Sequence, residues 1–272
     1  MQRGVCKAGN CDVPFAVFGS GERTMLLLNG AQQTRAAWRS VIKRFFHCYR
    51  IVTFDPPGQG SAASALSTKH FSLADHVEVA SAVVKTAAPA TSLTVVGASW
   101  GGFIAAAFAA EYSNLVETLV LASIGVQPNP ILQRLIRIGQ GFVDAGDPEA
   151  LGRMIVDEFG DRLSTAMRQR IVRQFAHASG DNLRSFYRQS AYVASAGRLQ
   201  DMVNLPAISA RTAIVKGSDD PLIDETDIDV LLTIPNAEYI RVPCAGHFLH
   251  WERPEILELY AKFLSKDWPN PI

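Results

Sequence analysis

The run Leu93-Thr94-Val95-Val96-Gly97-Ala98-Ser99-Trp100-Gly101-Gly102 continues into Phe103-Ile104-Ala105-Ala106-Ala107-Phe108. No other stretch constrains the chain so tightly. It reads as an apolar strand, a Gly-x-Ser-x-Gly turn and an alanine-rich helix, the setting in which such a pattern becomes a nucleophile elbow. A turn this sharp leaves no room for side chains beside the serine, and Gly97 and Gly101 remove them. Ser99 is then left exposed at the carboxyl end of the strand, over the amino terminus of the helix. Covalent acyl transfer through Ser99 is the first functional expectation.

The surrounding chain alternates strands and helices. A hairpin is expected from residues 5–8 and 13–18, with Gly9-Asn10 in its turn. Short apolar runs at 25–29, 51–54, 93–96, 116–122, 212–216 and 238–242 fit strands buried on both faces of a sheet. Helical stretches fall at about 36–47, 73–88, 101–112 and 254–265. Such alternation argues for an α/β fold, a mostly parallel sheet covered by helices on both faces. With 272 residues, 48% of them hydrophobic, the chain suits one large domain with an insertion.

The insertion is legible where the alternation stops. From Pro128 to Leu205 the pattern is helical, with Asp147-Pro148-Glu149 as a helix-start signal. We expect residues 1–127 and 206–272 to form the core and 128–205 a helical cap over the sheet's active edge. That segment holds ten arginines, no lysine and eight acids. Its aromatic and apolar residues, Phe159, Phe186 and Tyr187 among them, are candidates to line an acyl tunnel. Arg168 and Arg173, with their neighbours, are candidates for contact with an acidic carrier surface or a phosphopantetheine.

A serine hydroxyl needs a base within hydrogen-bond reach. His247 lies just after the last strand, at the sheet edge that carries Ser99, and is the expected base. His250 is the second candidate. The base needs an acid to fix its tautomer. The loop Gly217-Ser218-Asp219-Asp220-Pro221 offers Asp219 and Asp220, and the order serine, acid, histidine suits this architecture. An oxyanion would take one hydrogen bond from the Trp100 N–H. A second would come from the Ala31 N–H, in the Asn29-Gly30 loop after the strand at 25–29. Asp55, after another strand, is expected to bond local backbone.

Net charge is zero, so no global field points to nucleic acid. No run of about 18 apolar residues suggests a membrane span. The first residues lack a hydrophobic signal segment, and a cytoplasmic, reduced setting is expected for Cys6, Cys11, Cys48 and Cys244. No spacing suggests a metal site, and no cofactor is expected.

The chain resembles the α/β-hydrolase superfamily. Within it, the chain is similar to the branch of the synthase of the rhamnolipid fatty-acid precursor and the 3-hydroxyacyl-ACP:CoA transacylases. Leu27-Leu28-Asn29-Gly30, Phe54-Asp55 with Pro57, Gly60 and Ser61, Ala98-Ser99-Trp100-Gly101-Gly102 and Gly246-His247-Phe248-Leu249 carry the resemblance. The spacing seen in relatives selects Asp220 over Asp219. The resemblance implies acyl transfer between 3-hydroxyacyl thioesters of acyl carrier protein or CoA. After the acid loop the chain runs Pro221-Leu222-Ile223, more like general hydrolases, so an ester or thioester hydrolase is the alternative. A ligand-binding receptor on the same fold is a third reading.

Overall fold

The structure is a computed structural model that describes residues 1–8, 11–62, 71–88, 92–195 and 197–265, with backbone alone for Phe186, Gln189 and Val193. The expected hairpin turn at Gly9-Asn10 lies outside the described residues.

Eight strands form one sheet: β1 (Gln2–Ala8), β2 (Cys11–Phe18), β3 (Arg23–Leu28), β4 (Tyr49–Phe54), β5 (Leu93–Ala98), β6 (Val116–Ala122), β7 (Arg211–Gly217) and β8 (Ala237–Val242). Their order is β1-β2-β4-β3-β5-β6-β7-β8. The hairpin β1-β2 packs antiparallel on β4, and the remaining pairs are parallel. Every expected strand is present, most of them a residue or two longer than the apolar run that announced it.

Alternation along the strands divides the core. Leu26, Leu28 and Val95 face one layer, where α2 (Leu73–Ala87) and α3 (Trp100–Glu111) pack. Met25, Leu27 and Val96 face the other, against α1 (Arg39–Phe45) and, farther along the chain, a carboxyl-terminal helix spanning Ile256–Ser265. Because both faces are covered, β5 is buried at every residue. The helix expected at 36–47 is shorter, since a 3-10 turn at Arg35–Trp38 precedes α1.

Between β6 and β7 the chain builds α4 (Pro130–Asp144), α5 (Pro148–Phe159), α6 (Thr165–Ala176), α7 (Gly180–Ser195) and the short α8 (Leu199–Met202). Asn129 and Asp147 cap α4 and α5 by accepting the N–H groups of Leu132 and Ala150, with proline at the first helical position of each. These helices share a small core of their own, with Leu151, Val156, Ile171 and Tyr187 at its centre. Helix α9 (Glu225–Leu231) follows β7, and α10 (Leu249–Glu252) and α11 (Ile256–Ser265) follow β8. Cys6 and Cys11 are both buried. Among the described residues no helix is long and apolar enough to cross a membrane.

β4 and β5 lie on opposite sides of β3, so the connections leave in opposite directions there. In open α/β sheets the crevice at such a reversal, beyond the carboxyl ends of the strands, is where ligands bind.

Candidate active site

Ser99 sits at that crevice with φ 52° and ψ −121°, a left-handed conformation that a non-glycine residue adopts at a cost. The glycines around it are dictated by space. A Cβ on Gly101 would stand 2.1 Å from the Leu28 carbonyl oxygen, and one on Gly97 would stand 2.3 Å from the Gly101 oxygen. The strained turn is anchored where the Ser99 N–H donates to the Ala122 oxygen at 2.9 Å.

Two loops bring the partners. His247 Nε2 lies 3.2 Å from Ser99 Oγ, and His247 Nδ1 lies 2.9 Å from Asp220 Oδ2. The second carboxylate oxygen of Asp220 accepts the Leu222 N–H at 3.0 Å, and the side chain is sealed from solvent. Asp219 points away: it pairs with Arg162 from the loop between α5 and α6, and takes the Ser218 hydroxyl. His250 is also turned aside, its Nε2 2.9 Å from the Tyr260 hydroxyl and its ring edge against Trp38. Burial lowers its pKa to about 4.

Burial alone would also hold the His247 imidazole below its ordinary value. The Asp220 carboxylate, by charge and by hydrogen bond, outweighs that pull, with a smaller push from Glu252, and the net shift is upward. Glu252 had no signal in the sequence. From α10 its carboxylate accepts the N–H of Gly246 and, at 3.0 Å, that of Phe248, the two residues flanking His247. Desolvation raises its own pKa against the pull of those bonds and of His247. A regularity in sequence could not show this clamp, because it joins a carboxylate to main-chain groups.

The loop after β3 is fixed from beneath. Asn29 is fully buried, its Oδ1 accepting the Trp38 indole N–H at 2.8 Å and its Nδ2 donating to Phe54 O and Asp55 Oδ1. Asp55 in turn accepts the Arg35 N–H at 2.7 Å and, at its other oxygen, the N–H and hydroxyl of Ser61. Its role is thus the local backbone tie expected of it. Asn29 holds the loop, while Gly30 and Ala31 line the cavity. Gly30 accepts the Gln33 N–H to close a turn in which Gln32 has φ 56°. Trp100 is buried at the first position of α3, stacked on Phe103 and edge-on to His76.

A cavity of about 220 Å³ rises from Ser99, Trp100 and His247 into the helical segment. Its walls are largely apolar, with Leu132, Ile136, Met154, Ile155, Phe159 and Phe175 prominent. Phe159 lies 5.8 Å from the His247 ring, centre to centre. Tyr187 also lines the cavity, its hydroxyl tight against Gly139. The Phe186 side chain lies outside the described residues. Arg168 and Arg173 stand away from the cavity lining. Arg168 is engaged by Asp157 and the Gly160 carbonyl, as Arg184 is by Asp181 and Arg162 by Asp219. Among the described residues no cluster of three or more His, Cys, Asp or Glu could hold a metal ion.

Comparison with known proteins gives the wider setting. A family profile for the α/β hydrolase fold matches residues 23–254. The chain is 27% identical over 253 residues to a 2-hydroxy-6-oxononadienedioate/2-hydroxy-6-oxononatrienedioate hydrolase of Paraburkholderia phymatum, covering 87% of this chain and 85% of that one. It is 26% identical to a monoacylglycerol lipase, abhd6-A, of Xenopus laevis, covering 89% and 75%. A (R)-3-hydroxydecanoyl-ACP:CoA transacylase of Pseudomonas aeruginosa is more distant at 20%, covering 86% and 77%. The fold superposes on MGS-M2, an α/β hydrolase enzyme from a deep-sea metagenome library, with TM-score 0.82 at 19% identity over 98% of this chain and 99% of that one. Hydrolase relatives thus outweigh the transacylase, and the alternative expectation from the sequence is the better supported. This chain belongs to the α/β-hydrolase fold family and is an enzyme of its hydrolase and esterase type.

Proposed function

We propose that the protein hydrolyses an uncharged ester or thioester through an acyl-enzyme on Ser99. The observation that carries this reading is the unbroken line from Ser99 Oγ through both His247 nitrogens to Asp220, at the floor of an apolar cavity. His247 takes the Ser99 proton as Oγ attacks the carbonyl carbon. The Trp100 and Ala31 N–H groups, at the helix start and in the turn after β3, receive the charge that forms on the carbonyl oxygen. Collapse of that intermediate expels the alcohol or thiol, which leaves with the proton from His247. A water then repeats the sequence, and the acid is released.

The helices between β6 and β7 act as a cap in this reading, with Phe159 beside His247 and Tyr187 in the wall. Water is favoured as acyl acceptor over a second acyl chain or a CoA thiol. The arginines expected to greet a carrier are in part committed to carboxylates of this same chain. The dioate hydrolase relative bears by name a doubly acidic substrate, whereas no lysine or arginine lines this cavity among the described residues. A neutral substrate, as in the monoacylglycerol lipase's name, fits the lining better.

The test is a set of p-nitrophenyl and thioester substrates with products identified by mass spectrometry. Free acid as the sole acyl product is expected. Ser99→Ala should lower kcat/KM by several orders of magnitude and abolish the acyl-enzyme adduct. Acyl transfer to CoA or to a second hydroxyacyl chain in preference to water would restore the transferase.

A further inference from the structure

The polar groups of the cavity are of one kind. Among the described lining residues, His247 is the sole Lys, Arg, His, Asp or Glu; the rest of the side-chain polarity comes from carboxamides, hydroxyls and the indole N–H groups of Trp100 and Trp251. Three of these lining residues, Gln32, Gln59 and Ser123, each hold a buried side-chain atom that finds no partner: Nε2, Oε1 and Oγ respectively. Gln59 is 6% exposed and Ser123 3%. Leaving such an atom unpaired is costly, and these three, with the Trp100 indole Nε1, cluster at one cavity. Gln174, by contrast, is used internally, donating to the Gln32 carbonyl at 2.9 Å.

All three belong to the floor of the cavity. Gln32 follows β3, Gln59 follows β4 and Ser123 follows β6. Each is held in place by main-chain bonds or by strain. The Gln59 loop is closed by the Gln59 N–H to Pro56 O and the Ala62 N–H to Gln59 O, with Asp55 gripping Ser61 beside it. Gln32 and Ser123 are both left-handed, at φ 56° and 50°. Main chain fixed in this way loses little freedom when a ligand arrives.

The chemistry that satisfies them is neutral. A carboxamide carries a donor and an acceptor, and a hydroxyl can answer both. A carboxylate only accepts, and it would enter an apolar cavity with no lysine or arginine to repay its desolvation. Resting on the reading of Ser99 as nucleophile, we propose that Gln59, with Gln32 and Ser123, forms a subsite for an uncharged hydroxyl on the substrate, and that the cavity rejects esters bearing a free carboxylate. The hydroxyl can belong to the acyl chain or to the alcohol.

The experiment measures kcat/KM for matched esters with the intact enzyme. Ethyl 3-hydroxyoctanoate against ethyl octanoate reads the acyl side. Monooctanoylglycerol against propyl octanoate reads the alcohol side. Monoethyl suberate carries a carboxylate at the chain end. At least one hydroxylated ester should exceed its partner by about tenfold, and the carboxylate should fall about tenfold or more below ethyl octanoate. Gln59→Leu should bring the favoured ratio to within about threefold of one, and Gln32→Leu serves as a second variant, each checked for folding by thermal melting. Equal rates within both pairs, a carboxylate hydrolysed as well as ethyl octanoate, or a hydroxyl preference that survives both variants overturns the subsite while Ser99 still stands. Hydrolysis unchanged in Ser99→Ala, or none of any ester, overturns the underlying reading instead.

Discussion

At the scale of the residue, His247 stands between two carboxylates with different tasks. Asp220 meets the ring, and Glu252 meets the main chain on either side of it. As the proposed general base, His247 must be neutral to accept a proton. Since the His247 pKa is raised, hydrolysis should climb as pH rises through a value above the ordinary 6.5. Asp220→Asn removes the charge that raises it. Burial then dominates, and the acid limb of the pH–rate profile should move to lower pH while kcat falls by about 10⁴. An acid limb that stays in place would show that Asp220 does not set the base.

The same scale shows what a sequence can disclose. Ser99 was legible because its requirements are local: a strand before, glycines beside, a helix after. The loops that carry His247 and Asp220 were legible because each follows a strand run, and strand ends share an edge; the choice of Asp220 over Asp219 came from the resemblance to relatives. Gln32, Gln59, Ser123 and Glu252 were not. Their significance lies in which atoms lack a partner or which main-chain groups they reach, and no spacing encodes that. His250, three residues from His247, differs from it only through Trp38 and Tyr260, residues far from it in sequence or in another helix.

At the scale of the element, the loop from Pro243 to Phe248 must hold an imidazole within hydrogen-bond reach of a serine on another strand. Helix α10 does this with a single side chain. Glu252→Ala should free the loop and lower kcat by about 10–100-fold. The fold should survive, and Glu252→Gln should recover part of the loss, since a carboxamide oxygen can still accept one N–H. Steady-state kinetics beside a melting curve decides the matter: loss of activity only in proportion to unfolding would make Glu252 an ordinary structural residue. Element boundaries were readable to within a few residues. The departure at residues 35–38 arises where Asp55 takes the Arg35 N–H and Trp38 reaches Asn29, tertiary bonds that tighten the helix entry into a 3-10 turn.

At the scale of the whole molecule, two histidines besides His247 are enclosed among the described residues. Burial lowers the pKa of His76, and that of His250 to about 4. Both take up protons more readily once unfolded, near 6.5. Stability should therefore be lost as pH falls from about 6.5 toward 4, with His250 contributing on the order of 1–3 kcal/mol. Melting temperatures across that range should decline, and His250→Gln should flatten the decline. A flat wild-type profile would refute it. The helical insertion was visible in the sequence as a break in alternation. How its helices lean over Ser99 was not, because that depends on contacts such as Phe159 with His247 and Arg162 with Asp219.

The insertion leaves the sheet after β6 and returns in β7, its immediate neighbour, and is stitched at its base where the Leu199 N–H meets the Val126 oxygen at 2.7 Å. Its two stems are therefore side by side. A segment with adjacent stems can be exchanged like a lens in a fixed mount. Grafting the corresponding helices of another hydrolase between Val126 and Leu199 should change which acyl chains are admitted while Ser99 and the loops around it remain undisturbed.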